Sequence, residues 1–305
     1  MSNAPASPSF GILYPGEMGA AFGEVLTRQG FEVFTALRGR SRASRERATK
    51  AGMQDLGDVG RLVGKVDFLL SIVPPGAARA IAATVAAHAS QQNRWAFVDL
   101  NAIGPDVARD IAKGLGESGI DYIDGSIHGV ARLLRERGAV YLSGPRSDEL
   151  VEILRGSVRV YGLGTDVAAA SRFKMLLGAL SKSLVTLFLE VGLIAQEIDQ
   201  LPFFLEQARS FYPGLMEAVE RMAPTYPQHV VRRLQEMVNV DRTISLLGLR
   251  PGIAAESRRF LEAFDAAGLP PLAPGSVKWT LEDLIEALAA AGMLRDAPPS
   301  PAHTH

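Results

Sequence analysis

Residues 10–23 read FGILYPGEMGAAFG, an apolar run followed by glycines at positions 16, 19 and 23. The run predicts a buried strand and the residues after Gly16 predict a helix. A dinucleotide pyrophosphate needs such a strand-to-helix turn without side chains, so that helix amides face the phosphate. We therefore expect a dinucleotide cofactor to bind at Pro15, Gly16, Glu17, Met18 and Gly19. Tyr14 departs from this pattern, since G-x-G-x-x-G has its first glycine there, and glycines at such turns also occur as simple turn residues.

Outward from this turn, strand and helix patterns alternate through the first half of the chain. That alternation predicts an α/β fold, a doubly wound parallel sheet of the Rossmann type with helices on both faces. The predicted strands are 10–14, 31–35, 67–72, 95–100, 120–124, 139–143 and 159–163. After Asp166 only helical periodicity remains, interrupted by prolines, and a long helix is expected over 166–198. We expect an NAD(P)-binding domain over 1–164, an all-helical substrate and dimerisation domain over 165–295, and a disordered tail over 296–305.

Composition restricts the class of protein. The 305 residues are 47% apolar and 21% charged with a net charge of −1, which indicates a globular protein without overall attraction to nucleic acid or an anionic membrane. Cysteine is absent, which excludes disulfides and thiolate chemistry and suits a cytoplasmic location. The first residues do not read as a signal peptide. Lys182, Glu190 and Glu197 interrupt the apolar run around residues 184–194 before it is long enough to span a membrane, so it is expected to be a buried core helix.

The residues after the second predicted strand indicate which dinucleotide binds. An NAD site places an acidic residue there, whereas this chain has Arg38, Arg40 and Ser41. Arginines hold a 2′-phosphate with charge-assisted hydrogen bonds, so the sequence favours NADP over NAD. Two alternatives remain open, a solvated basic face and a nucleic-acid patch. The second is weakened because no aromatic residues alternate with these arginines.

Four motifs together resemble the β-hydroxyacid dehydrogenase and 6-phosphogluconate dehydrogenase superfamily. Residues 15–19 look like the Gly-Leu-Gly-x-Met-Gly turn, and Arg40-Ser41 looks like the family's phosphate site. Residues 98–105 are similar to the stretch written Asp-x-Ser-Thr-x-x-Pro in the family, and residues 122–129 are similar to its Asp-Ala-Pro-Val-Ser-Gly-Gly substrate loop. Residues 222–237 resemble a branch whose C-terminal domain is known only as phosphogluconate-dehydrogenase-like.

The resemblance also implies the roles of particular residues. Lys174 takes the place of the family's lysine, which moves the proton of the substrate hydroxyl, although a surface lysine with a buried stem is the alternative. Gly178 stands where the family has an asparagine. His128 and Ser126 are further catalytic candidates in the substrate loop, and His128 has an alternative interpretation as a structural residue. Val73, Pro74 and Asn101 are expected to line the cofactor's riboses. No metal-ligand pattern is present in the sequence.

These observations predict an NADP-dependent oxidoreductase that transfers hydride between the nicotinamide and a small hydroxy or keto substrate in the interdomain cleft. An NADPH-dependent imine reductase and a non-catalytic cofactor-binding protein are the alternatives. The helical domain is expected to form a homodimer, because its amphipathic helices carry more apolar residues than one small domain covers.

Overall fold

The computed structural model describes residues 7–89, 95–271 and 279–295. The predicted tail 296–305 lies outside the described residues. The chain divides into two compact units, Met1–Lys174 and Met175–His305, which are described separately below. The division falls ten positions after the domain boundary expected from the sequence at residue 164.

The first unit contains an eight-stranded sheet with the strand order β3-β2-β1-β4-β5-β6-β7-β8. The strands are β1 (Phe10–Leu13), β2 (Val33–Thr35), β3 (Gln54–Asp55), β4 (Phe68–Ser71), β5 (Ala96–Asp99), β6 (Asp121–His128), β7 (Ala139–Ser143) and β8 (Arg159–Gly162). Neighbouring strands are parallel except β6 and β7, which are antiparallel. The order reverses between β1 and β4, and ligands of doubly wound sheets bind at the carboxyl edge of such a point.

Helices cover both faces of this sheet, as predicted. They are α1 (Glu17–Arg28), α2 (Arg42–Lys50), α3 (Val59–Val63), α4 (Ala78–Ala86), α5 (Pro105–Gly116), α6 (Leu134–Arg137) and α7 (Ser147–Leu154). Phe10 and Ile12 pack with Phe22 of α1 in one buried cluster. Leu13 packs on the opposite face with residues of α4 and α5. Because both faces are covered, β1, β4 and β5 are four-residue runs that are buried throughout.

The antiparallel pair β6–β7 differs from the predicted parallel sheet, and two strands also differ from the sequence-based expectation. Strand β3 was not predicted, because its two residues are exposed at the sheet edge and carry no apolar pattern. Strand β6 continues to His128, beyond the expected end at Asp124, since it pairs antiparallel with β7 over that extension. The extension carries residues 126–128 into the sheet, which fixes the backbone of the predicted substrate loop.

Helix α8 (Ala169–Glu197) crosses from the first unit into the second, which is helical throughout its described part. The other helices there are α9 (Leu201–Phe211), α10 (Pro213–Met222), α11 (Tyr226–Leu246), α12 (Ile253–Ala266) and α13 (Leu281–Ala290). Their shared core contains Leu189, Val219, Met237 and Leu261. The prediction of an all-helical second half is thus confirmed for the described residues.

The apolar residues of α8 divide between two faces. Val185 and Leu189 are fully buried, whereas Leu180 and Leu187 are 67% and 59% exposed. The expectation of a buried core helix therefore holds for one face only. By length and composition α8 is also the one described helix that would be long and apolar enough to cross a membrane, a test that core helices of other proteins pass as well.

Candidate functional site

The turn between β1 and α1 leaves backbone amides open at the carboxyl edge of the sheet. Gly16 precedes the helix with φ −67° and ψ −169°, and no described side chain caps the first turn. The amide of Gly16 donates to Tyr14 O at 2.8 Å, and the helical bonds begin when Ala20 N donates to Gly16 O at 2.9 Å. An uncapped helix N-terminus of this kind attracts an anion through its free N–H groups and its dipole.

The three glycines of this turn have different surroundings. A Cβ on Gly16 would meet no atom within 4 Å, so open space lies beside this residue. A Cβ on Gly19 would lie 2.1 Å from Tyr14 O, so a glycine is needed there for α1 to approach β1. A Cβ on Gly23 would lie 1.9 Å from Met53 Cε, so the absence of a side chain at Gly23 makes room for the Met53 side chain. Of these three glycines, Gly16 is the one with open space beside it, into which a ligand could fit.

Most of the arginines that follow β2 are engaged with carboxylates. The ion pairs are Arg38 with Asp58 at 3.3 Å, Arg42 with Glu46 at 2.7 Å and Arg45 with Asp55 at 4.0 Å. Arg40 has no carboxylate partner among the described residues, and its guanidinium carbon lies 4.2 Å from the centre of the Tyr14 ring. Ser41 caps α2, because its hydroxyl accepts a hydrogen bond from Ser44 N at 3.2 Å. Arg40 is therefore the cation of this loop that is available to an anion beside the turn.

Asn101 connects the ends of β4 and β5. Its Oδ1 accepts a hydrogen bond from Val73 N at 2.6 Å, and its Nδ2 donates to Ser71 Oγ at 2.9 Å. Asn101 is 3% exposed, while Val73 and Pro74 lie closer to solvent. Of the predicted ribose-lining residues, Asn101 thus holds the backbone of Val73, and Pro74 is the next residue in the chain.

Two buried carboxyl groups lie side by side in the sheet, where Asp99 at the end of β5 is the register partner of Asp124 in the middle of β6. Burial raises the pKa of Asp99 to about 6, although hydrogen bonds from Asn101 oppose the shift. Burial also raises the pKa of Asp124 to about 7, against opposing hydrogen bonds from Ser171 and Ser143 and with a smaller contribution from the charge of Asp99. Sequence reasoning did not pair these residues, because strand register is not visible in either segment alone.

Asp124 anchors the beginning of α8. Its Oδ2 accepts a hydrogen bond from Ser171 N at 2.7 Å, and its Oδ1 accepts one from Ser171 Oγ at 2.6 Å. Ser143 Oγ accepts a hydrogen bond from Ala170 N at 3.0 Å. A carboxylate at the N-terminus of a 29-residue helix is favoured by the helix dipole. These bonds set the position of the first turn of α8 against β6 and β7.

Lys174 follows Ser171 by about one helical turn and reaches back to the sheet. Its Nζ donates a hydrogen bond to Ile127 O at 2.6 Å. Ile127 precedes His128, the second predicted catalytic residue, which ends β6 and is exposed. Lys174 and the backbone of the loop that carries His128 are therefore together at this end of β6. Ser126, the third predicted catalytic residue, is 1% exposed, and its hydroxyl donates to Ala170 O at 3.3 Å.

The first unit is related to a known family over most of its length. Residues 9–154 match the sequence profile of the NAD binding domain of 6-phosphogluconate dehydrogenase. This segment belongs to that family. The resemblance inferred from the motifs is confirmed, while the branch inferred from residues 222–237 stays a prediction.

Other proteins share the sequence or the fold over more of the chain. A Methanothermus fervidus protein, described as an uncharacterized 28.5 kDa protein in the 7S RNA 5′ region, is 26% identical over 239 residues, which are 75% of this chain and 91% of that protein. The structure of a conserved hypothetical protein from Sinorhizobium meliloti 1021 has 24% identity and a TM-score of 0.71, covering 94% of this chain and 97% of that one.

Two enzymes with solved structures also have this fold. Mycobacterium tuberculosis 3-hydroxyisobutyrate dehydrogenase has 14% identity and a TM-score of 0.71, covering 92% of this chain and 99% of that one. A reductive aminase from Aspergillus terreus, solved with NADPH4, cyclohexanone and allyl amine, has 15% identity and a TM-score of 0.56 over the same shares. At these identities the likeness is one of fold.

The NAD-binding domain retains the features that its cofactor requires. The space beside Gly16 and the uncapped amides of α1 fit a pyrophosphate, since a Cβ at Gly16 would stand in otherwise open space. Tyr14 replaces the first glycine of the motif without blocking the turn, because its backbone carbonyl, not its side chain, faces Gly19. Among the described residues, no three His, Asp or Glu side chains lie together as the ligands of a metal ion would.

In the second unit, Gly178 is the position at which the resemblance to the superfamily implies an asparagine. A Cβ at Gly178 would meet one neighbour, Lys182 Nζ at 3.6 Å. Lys182 Nζ also forms an ion pair with Glu236 at 2.5 Å, and the two side chains are only 13% and 19% exposed. An ammonium therefore lies beside Gly178. Lys182 is held in this ion pair.

Proposed function

We propose that this protein is an NADP-dependent oxidoreductase acting on a small hydroxy or keto substrate. The observation that carries the proposal is the open space at Gly16 beside an uncapped helix N-terminus, within a segment of the NAD-binding domain family. When bound, NADP supplies the nicotinamide that accepts or donates a hydride. The protein supplies the amides of α1 for the pyrophosphate, and Val73, Pro74 and Asn101 beside the riboses.

The preference for NADP is carried by Arg40. A guanidinium without a carboxylate partner binds a 2′-phosphate with charge-assisted hydrogen bonds, which are worth about 1.5–3 kcal/mol each. Arg40→Ala should therefore weaken NADP⁺ binding by about 10-fold or more and leave NAD⁺ binding unchanged. Arg42→Ala is the matched control, because Arg42 is 92% exposed and paired with Glu46. If Arg40→Ala retains the ratio of the two dissociation constants measured by titration calorimetry, the NADP assignment is wrong.

Lys174 is the proposed proton-transfer group. A hydrogen bond to Ile127 O orients its Nζ beside the end of β6. As a neutral amine, Lys174 takes the proton of the substrate hydroxyl when the substrate is oxidised, and as an ammonium it returns that proton when the substrate is reduced, with His128 as a second donor to the substrate oxygen. A cofactor-binding protein without turnover is the competing function. Turnover of an identified substrate that is lost in Lys174→Ala, with NADPH binding retained, excludes that competitor.

Imine reduction is a second candidate, favoured by the glycine at position 178. The family's amide is missing there, and an ammonium lies beside that position instead. The fold is also shared with the Aspergillus terreus reductive aminase. A screen of matched ketones and cyclic imines, read by NADPH oxidation, separates the two reactions. Turnover of ketones with no imine reduced supports the hydroxyacid type, and the reverse result supports imine reduction.

We also propose a homodimer formed through the second unit. An apolar pocket of about 360 Å³ lies between α8 and α9, and its rim includes Leu187, Phe211 and Tyr212. These three side chains are 59%, 71% and 62% exposed, which is unusual for large apolar residues of a protein that stays monomeric. Light scattering that gives a monomer mass would contradict this part of the proposal. We also propose that the protein is located in the cytoplasm.

A further inference from the structure

Tyr14 contacts the arginine on which the proposed NADP preference depends. The residue follows β1, and its side chain is half-buried against the cluster that contains Leu13 and Phe34. The guanidinium carbon of Arg40 lies 4.2 Å from the centre of the Tyr14 ring. Tyr14 comes from the β1–α1 turn and Arg40 from the loop before α2, so the contact joins the predicted pyrophosphate site to the predicted 2′-phosphate site.

The backbone carbonyl of Tyr14 makes the hydrogen bond of the β1–α1 turn, and the Tyr14 side chain takes no part in it. Tyr14 O accepts a hydrogen bond from Gly16 N, and it is also the atom that a Cβ on Gly19 would meet. Gly19 is therefore the residue that must lack a Cβ for α1 to lie close to the end of β1. The side chain at position 14 is left to take another role, which a glycine there would not offer.

Arg40 needs something to hold it in place. It is exposed, and it follows Gly39, which has a φ of +74°. Arg40 N donates to Leu37 O at 3.0 Å, so its backbone closes a tight turn, but no described carboxylate fixes its side chain. An arginine that stacks on an aromatic ring uses the face of its guanidinium and keeps the N–H groups at its edge for an oxyanion. Holding the side chain in one arrangement also reduces the entropy lost when a ligand binds.

We propose that Tyr14 is a selectivity-determining positioning residue, whose ring holds the Arg40 guanidinium where it receives the 2′-phosphate of NADP. The inference rests on the proposed function, since it assigns to Tyr14 a role in the same cofactor site. If the inference is right, the Tyr14 ring affects cofactor binding only through Arg40, and it affects the binding of NADP and not that of NAD.

The test measures the dissociation constants of NADP⁺ and NAD⁺ for the full-length chain by titration calorimetry. Tyr14→Leu keeps an apolar side chain but removes the ring, and it should weaken NADP⁺ binding by about two- to fivefold while NAD⁺ binding stays unchanged. Tyr14→Phe is the matched control and should behave as the wild type. Tyr14→Met is a second variant without a ring, for use if Tyr14→Leu does not fold.

A double-mutant cycle shows whether the effect passes through Arg40. In the Arg40→Ala background, Tyr14→Leu should have no further effect on NADP⁺ binding. Equal weakening of both dinucleotides would overturn the inference, because the ring would then contact a part that they share. A full effect of Tyr14→Leu without Arg40, or no effect in either background, would overturn it as well.

The same titrations separate failure of this inference from failure of the proposed function. If Arg40→Ala reduces the NADP⁺ preference and neither Tyr14→Leu nor Tyr14→Met does, only the role of Tyr14 is wrong. If the wild type shows no preference for NADP⁺, or if Arg40→Ala keeps it, the NADP assignment itself fails and the inference fails with it.

Discussion

Replacing Gly16 by alanine separates cofactor binding from folding. The φ of Gly16 is −67°, which alanine adopts freely, and the added Cβ meets no atom of the protein within 4 Å. The cost to folding is limited to the poorer helix start that alanine gives, about 1 kcal/mol or less. For a chain of this size, such a change lowers the Tm by about 2–4 °C.

Cofactor binding should respond much more strongly than stability. The Cβ would fill the space into which the pyrophosphate must come to reach the first amides of α1. Losing one such charge-assisted hydrogen bond costs about 1.5–3 kcal/mol, which raises the dissociation constant of NADP⁺ by about 10- to 100-fold. Titration calorimetry and thermal unfolding on the same preparation give both quantities.

Two other glycines serve as comparisons. Gly19→Ala places a Cβ 2.1 Å from Tyr14 O, a backbone atom, so both the free energy of unfolding and binding should fall, the former by about 1–3 kcal/mol. Gly114→Ala adds a Cβ in open space on α5, away from the turn, and should leave binding unchanged. If a folded Gly16→Ala protein binds NADP⁺ as tightly as the wild type, the reasoning about this turn is refuted.

Three further outcomes are expected. Lys174→Met should abolish turnover of the identified substrate and leave the dissociation constant of NADPH within about twofold, because the lysine acts on the substrate; retained turnover in rate assays contradicts its role. Asp124→Asn should flatten the pH dependence of the free energy of unfolding. Burial raises the pKa of Asp124 from 3.8 to about 7, so the folded protein keeps a proton that the unfolded chain releases. The wild type is therefore most stabilised by this group below about pH 4 and loses up to about 4 kcal/mol of that stability as the pH rises to about 7. Denaturant titrations from pH 4 to 8 that show the same slope for both proteins rule this out. Phe211→Glu should convert the dimer to a monomer in light scattering, since a charge on the apolar rim cannot be buried between two copies; a dimer mass for this variant refutes the assigned surface.

The part of the fold that local pattern determines was predicted from the sequence. The strand, turn and helix around Gly16 follow from apolar runs and glycine spacing, both of which are local properties. The alternation of strands and helices likewise predicted the doubly wound sheet. Strand β3 was missed because pairing at a sheet edge requires no apolar residues, and its Gln54 and Asp55 are exposed.

The contacts of the candidate site could not be predicted in the same way, because they join distant segments. Asp99 and Asp124 become neighbours through the register of β5 and β6, and Ser171 reaches Asp124 from a separate helix. The stacking of Arg40 on Tyr14 also depends on tertiary structure. Lys174 was predicted as a catalytic candidate from the family resemblance, and its hydrogen bond to Ile127 O follows only from where α8 begins.

Titration of the full-length protein with NADP⁺ and NAD⁺ tests the central claim most directly. We predict one site per chain that binds both dinucleotides, with NADP⁺ bound at least about 10-fold more tightly because Arg40 receives its additional phosphate. Absence of binding heat with either coenzyme, confirmed by unchanged thermal unfolding in their presence, would contradict the account.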